Sequence, residues 1–154
     1  MRRAPPGTPL RDEETRMWHA QHTLETTTRP ESIWRCWMDV QGWPDWDEGL
    51  EWATLQGPPG VGVAGVIKRR GGERLSFRVV EFVEGRSFTC SGRTLGTSLL
   101  FMHRLEPTDL GTRLTHRVEA RGPLAWLLGL TLGRRLRDSL PRAARKLAHL
   151  AEKA

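Results

Sequence analysis

Two histidines are placed so that they could do chemistry together. The stretch "FMHRLEPTDLGTRLTHRVEA", residues 101–120, carries His103 and His116 on either side of a turn at 107–111. If Leu105 faces Leu114 across that turn, His103 faces His116 and Phe101 faces Val118. This register keeps Phe101, Leu105, Leu114 and Val118 on one face, and a one-residue slip would expose them all. Residues directly opposite on paired strands touch. Imidazoles titrate near neutral pH, so the pair is a candidate general acid and base. The rings could instead orient a polar group on a ligand or bind a metal. The commoner fate is a core histidine satisfied by hydrogen bonds. No carboxylate or cysteine has an assignable place beside them, so neither a metal nor another cofactor is expected. Arg104, Glu106, Arg113, Arg117, Glu119 and Arg121 alternate onto the other face, which suits solvent.

The tryptophans are the second concentration of chemistry. Residues 31–52 hold Trp34, Trp37, Trp43, Trp46 and Trp52, five of the seven in the chain. Such side chains build cores, line cavities or stack on bases. Base stacking needs interleaved positive charge. Here Glu31, Asp39, Asp45, Asp47, Glu48 and Glu51 surround Arg35 alone, which repels phosphate, so nucleic acid is not an expected partner.

Local patterns supply the elements that must hold these residues. Residues 17–26 alternate, with Trp18, Ala20, His22 and Leu24 on one face of a strand. A Thr28–Glu31 capping box and Pro30 open a short helix on which Ile33 and Trp37, and Trp34 and Met38, lie four apart. Gly42 breaks it, and Pro44 starts a second short helix through Trp46 and Asp47. Strands are predicted at 50–56, 62–70, 74–83, 86–93, 97–106 and 111–121, separated by close turns that imply antiparallel hairpins. Phe77, Val79, Phe88 and Cys90 are candidates for the inner face, and Glu81 is expected outside after a bulge. From Gly122 and Pro123 a long helical pattern runs to the end, with Pro141 expected to kink or divide it. The order is α+β, one antiparallel sheet with a long helix on its inner face.

A chain of 154 residues with 38% hydrophobic and 27% charged residues can bury a proper core as one globular unit. A disordered tail is expected at 1–16, with a single domain over 17–154. The net charge is +6; Lys68, Lys146 and Lys153 are the lysines among 24 basic residues, so the other 21 are arginines. Cys36 and Cys90 make neither a disulfide framework nor a zinc motif, and read as buried thiols in a reducing compartment. The N-terminus lacks a signal-peptide pattern, and the longest apolar run, "LAWLLGLTLG" at 124–133, is too short to span a bilayer. These features predict a cytoplasmic protein without stable membrane insertion. Oligomeric state has no signal in the sequence.

This order of elements resembles the helix-grip fold of the polyketide cyclase, START and birch-pollen-allergen-like superfamily. The residues that carry the resemblance are Ile33, Trp34, Asp39, Trp43, Pro44 and Trp46, the hairpin "VVEFVEGRSF" at 79–88, and "LEPTDLGTRLTHRVEARGPL" at 105–124. It implies a seven-stranded antiparallel curved sheet around the C-terminal helix, with two short helices after the first strand closing one end. It also implies a cavity between sheet and helix, which in many relatives holds a hydrophobic small molecule. The first strand would then neighbour the last, bringing inward-facing His22 beside His116. Expected ligand contacts are His22, Trp37, Trp46, Phe77, Phe88 and Phe101, with His103, Leu114, His116, Val118 and Trp126. Plain core packing remains the first expectation for Trp34 and Trp126.

Three functions follow. The first is binding of a hydrophobic or aromatic small molecule, lipid or polyketide-like. The second is a cyclase or dehydratase using His103 and His116 as acid and base. The third is an interaction module using the basic face of the terminal helix, where Arg134, Arg135, Arg137, Arg142, Arg145 and Lys146 lie.

Overall fold

The computed structural model describes residues 17–94 and 96–153, so the predicted tail at 1–16 lies outside the described residues. Seven strands form one antiparallel sheet: β1 (Met17–Thr26), β2 (Leu50–Leu55), β3 (Ala64–Arg69), β4 (Arg74–Val83), β5 (Ser87–Thr94), β6 (Thr97–Thr108) and β7 (Gly111–Arg121). Their spatial order is β1-β7-β6-β5-β4-β3-β2, so the first strand closes against the last. Helix α1 (Pro30–Met38) and a 3₁₀ helix (Val40–Asp45) follow β1, and helix α2 (Ala125–Lys153) ends the described chain. The whole is a curved half-barrel gripping the long helix.

The register follows the apolar alternation. Leu105 pairs with Leu114, His103 with His116 and Phe101 with Val118. On β1, His22 pairs with His116 and Leu24 with Leu114. The bulge expected in β4 falls between Val79 and Glu81, where the ladder shifts register, and Glu81 is exposed. Gly65 lies opposite Phe77 and beneath its ring, where a Cβ would collide with the ring and with the Thr54 carbonyl. The missing side chain lets Phe77 turn into the interior.

Four sequence expectations are corrected. The Thr28–Glu31 capping box does not form: the helix N-cap is Arg29. The Thr28 hydroxyl is drawn to the far end of α2 instead, donating to the Ala148 carbonyl at 3.2 Å. The second short helix starts at Val40, before Pro44, and ends at Asp45 as a 3₁₀ helix that passes through Gly42. Of the two outcomes expected at Pro141, division does not occur: α2 runs on through it. A proline removes one backbone bond, and the buried Leu140, Ala143, Ala144 and Leu147 hold the turns around it against the rest of the fold. Glu119 was expected in solvent, yet its side chain is 7% exposed, covered by Arg117 and Arg121, each bonded to it at 2.8 Å. Those two guanidiniums outweigh the cost of burial and hold its carboxyl below the usual carboxylate range.

The apolar interior has two parts. The larger one joins α1, the 3₁₀ helix, β2 to β7 and the last half of α2, with Ile33, Trp37, Leu114 and Leu147 fully enclosed. Smaller clusters centred on Ala20, Val118, Leu136 and on Leu99, Ala120, Leu128 lie under the first half of α2. A cavity separates the two parts.

Candidate functional site

The cavity lies between sheet and terminal helix and encloses about 460 Å³. That is within the range of small-molecule sites. At its aromatic end the wall is Trp43, Trp46, His103 and His116, with Phe77 and Cys90 beside them. At its aliphatic end are Trp18, Leu99, Leu128 and Leu132. The exposed lining residues Glu48, Arg70, Arg135, Asp138 and Arg142 mark where it opens, between the start of β2 and α2. Lys146 on α2 reaches across to Glu48 at 2.8 Å beside this opening.

The aromatic end is built by stacking. His103 lies flat on Phe88, centroids 4.0 Å apart and planes 6° apart. It meets His116 edge-on at 5.3 Å. His116 in turn stacks on Trp46 at 5.7 Å. Trp37 sits behind both histidines, at 5.4 Å and 5.6 Å. Trp43 is fixed by its indole N–H, which donates to the Trp37 carbonyl at 2.9 Å.

Burial in this apolar shell governs the ring chemistry. Loss of solvation pushes His103 down to about 4, against the opposing pull of the Phe88 and Phe101 backbone. His116 lies well below the ordinary histidine range, through burial first and then the neighbouring His103 and His22. Both rings are therefore neutral at pH 7. His103 Nδ1 lies 3.3 Å from the Phe88 carbonyl oxygen. A carbonyl only accepts, so Nδ1 carries the proton and Nε2 keeps its lone pair. His116 Nε2, Trp46 Nε1 and Trp37 Nε1 are buried without a hydrogen-bond partner among the described residues. Cys90 is pushed up to about 12 by burial and stays a thiol. Among the described residues no group of three or more His, Cys, Asp or Glu is arranged to hold a metal.

The predicted site residues divide. Trp46, Phe77, Phe101, His103, His116 and Val118 line the cavity. Trp37, Phe88 and Leu114 are buried in the core behind the wall. His22 sits in a shallow surface hollow with Arg137 and Pro141, because α2 packs directly on β1 there. Trp126 corrects the expectation of core packing: it is 52% exposed. Sequence reasoning missed most of the aliphatic wall. Leu128 and Leu132 were visible as a helical apolar pattern, but their facing partner Trp18 is set by tertiary packing. Trp34, Trp37, Trp43 and Trp46 are each at most 9% exposed, which leaves none of them as an open stacking platform for bases. Among the described residues no helix is long and apolar enough to cross a membrane.

Comparison with known proteins agrees with this architecture. The family model described as polyketide cyclase / dehydrase and lipid transport matches residues 17–152, and the chain belongs to that family. Among solved structures it is similar to the di-domain ARO/CYC StfQ from the steffimycin biosynthetic pathway, with a TM-score of 0.77 at 14% identity. That likeness covers 94% of this chain but 53% of StfQ, so the chain spans about half of that protein. It is similar to norcoclaurine synthase from Thalictrum flavum, crystallised with dopamine and hydroxybenzaldehyde, with a TM-score of 0.68 at 14% identity over 99% of this chain and 97% of that one. Protein MLL2253 from Mesorhizobium loti matches at a TM-score of 0.65 and 18% identity, over 89% of this chain and 98% of its own. At these identities the likeness shows the fold. No curated protein matches the chain by sequence.

Proposed function

We propose that this protein, through a single domain at 17–154, binds a hydrophobic or aromatic small molecule, of lipid or polyketide type, in the cavity between sheet and terminal helix. The observation that carries this reading is an apolar cavity of about 460 Å³ with two neutral imidazoles in its wall. A ligand oxygen reaching the aromatic end would give Trp46 Nε1 and His116 Nε2 the partners they lack. The similar proteins support the reading, since they include the ARO/CYC StfQ of the steffimycin biosynthetic pathway and a synthase in complex with dopamine and hydroxybenzaldehyde. Both cysteines are free, which suits a reducing compartment, and we place the protein in the cytoplasm.

Burial lowers both imidazoles below the ordinary histidine range, which leaves the acid–base cyclase a weak base and an uncharged acid and makes it the second reading. Binding asks only for hydrogen bonding and apolar contact, which neutral rings supply.

The test is native mass spectrometry of the purified protein, repeated after denaturation, alongside titration with 1-anilinonaphthalene-8-sulfonate. A small molecule retained folded and lost unfolded, or one probe bound per chain, is the expected outcome. Leu136→Trp should fill the cavity and abolish probe binding. Undiminished binding in a folded Leu136→Trp protein would show that the probe sits elsewhere and overturn the reading.

A further inference from the structure

The first turns of α2 carry apolar side chains that the described residues leave exposed. Leu124, Trp126, Leu127 and Leu130 are 40%, 52%, 38% and 73% exposed. At 3.6 residues per turn, Trp126, Leu127 and Leu130 share the helix face opposite the buried Ala125, Leu128 and Leu136. Continuing along that face come Arg134 and Arg137, both exposed. Among the described residues no salt bridge involves either arginine. From 120 to 137 the chain holds Arg121, Arg134, Arg135 and Arg137 and no acidic residue. Contiguous exposed apolar surface of this kind marks an interaction site.

We infer that this face docks on an anionic lipid surface. Three features favour lipid over a protein partner. The apolar group includes a tryptophan, whose ring suits the boundary between headgroups and acyl chains. Arg134, Arg135 and Arg137 outnumber the one exposed carboxylate beside them, Asp138, so the net charge here is positive and complementary to an anionic leaflet. Apolar and basic residues follow one another along one helix face, so the helix can lie flat with its leucines inserted and its arginines among headgroups. The opposite face of the same turns carries Leu128 and Leu132 into the cavity wall. Docking would therefore hold the cavity one helix diameter, about 10 Å, from the lipid. The surface stands on exposure and charge and does not depend on what the cavity holds.

Sedimentation of the full chain with vesicles tests this, comparing phosphatidylcholine alone with phosphatidylcholine mixed with phosphatidylglycerol. The expected result is binding to the anionic vesicles that weakens with added salt, and little binding to the neutral ones. Trp126→Asp with Leu130→Asp should lower anionic-vesicle binding by about tenfold or more. Arg134→Glu with Arg137→Glu should remove the preference for anionic vesicles. The substituted residues are exposed, so circular dichroism should be unchanged; Trp126→Ser with Leu130→Ser serves if the aspartate pair fails to fold. No vesicle binding by the unmodified protein overturns the inference. So does a concentration-dependent dimer in equilibrium sedimentation that the aspartate pair disperses, since a second copy would then cover this face.

Discussion

The two ends of the cavity are made differently. The aromatic end is a deep stack: Trp37 is fully enclosed and touches Phe88, His103 and His116. The aliphatic end is a single layer. The helix turns that carry Leu128 and Leu132 into the wall present Trp126, Leu127 and Leu130 to the outside. One end therefore has deep packing behind its wall, and the other has little. In the binding reading proposed above, the first would hold a ligand's polar group and the second its apolar body.

The largest test of the contrast is a pair of truncations. Trp37→Ala should cost about 3–5 kcal/mol, because removing an enclosed indole loses its transfer energy and leaves a void. Trp126→Ala should change stability by less than about 0.5 kcal/mol, as at other exposed positions. Urea denaturation measures both. A costly Trp126→Ala would mean that the aliphatic end is covered by something that packs on it.

Acid should also act on the aromatic end. His103 ionises at about 4 in the folded protein and near 6.5 when unfolded. Between those values the unfolded chain binds more protons, so stability is full above pH 6.5 and falls as pH drops toward 4. Near pH 5 the loss from His103 is roughly 2 kcal/mol, and His116 shifts in the same direction. His103→Phe keeps a flat ring on Phe88 and should flatten this part of the profile. The aliphatic wall residues Trp18, Leu99, Leu128 and Leu132 do not titrate, so an unchanged slope in His103→Phe would dissolve the contrast.

The same two ends explain what the sequence made legible. Strand alternation and the 107–111 turn were enough to place His103 against His116 and Phe101 against Val118, because a one-residue slip flips a whole apolar face. Glu81 was legible for the same reason: its position broke the alternation, and a bulge repairs it. Depth behind the wall was not legible. Alternation puts Phe77 and Phe88 alike on the inner face, but Phe77 reaches the cavity through Gly65 while Phe88 is covered by His103. Thr28 fitted a local capping pattern, yet a contact 120 residues away took its hydroxyl. Trp126 lay in an apolar helical run, and nothing in that run says which side of a gripped helix the sheet fails to cover.

The finest test lies within the aliphatic end itself, where two helix glycines face one tryptophan. Alanine in a helix interior is normally worth about 1 kcal/mol over glycine. A Cβ on Gly133 would stand 3.4 Å from Trp18 Cζ2, an ordinary contact, so Gly133→Ala should stabilise by up to about that amount. A Cβ on Gly129 would come within 2.5 Å of Trp18 Cδ1 and 2.8 Å of Cγ. These atoms lie near the root of the indole, so the whole ring must move, and overpacking of this kind costs about 1–3 kcal/mol. Gly129→Ala should therefore lose its propensity gain and destabilise by about 1 kcal/mol net. Trp18 is also cavity wall, so Gly129→Ala should alter probe affinity while Gly133→Ala leaves it unchanged. If both alanines stabilise equally and neither moves the probe, Trp18 shifts at no cost, and the aliphatic wall is softer than its packing implies.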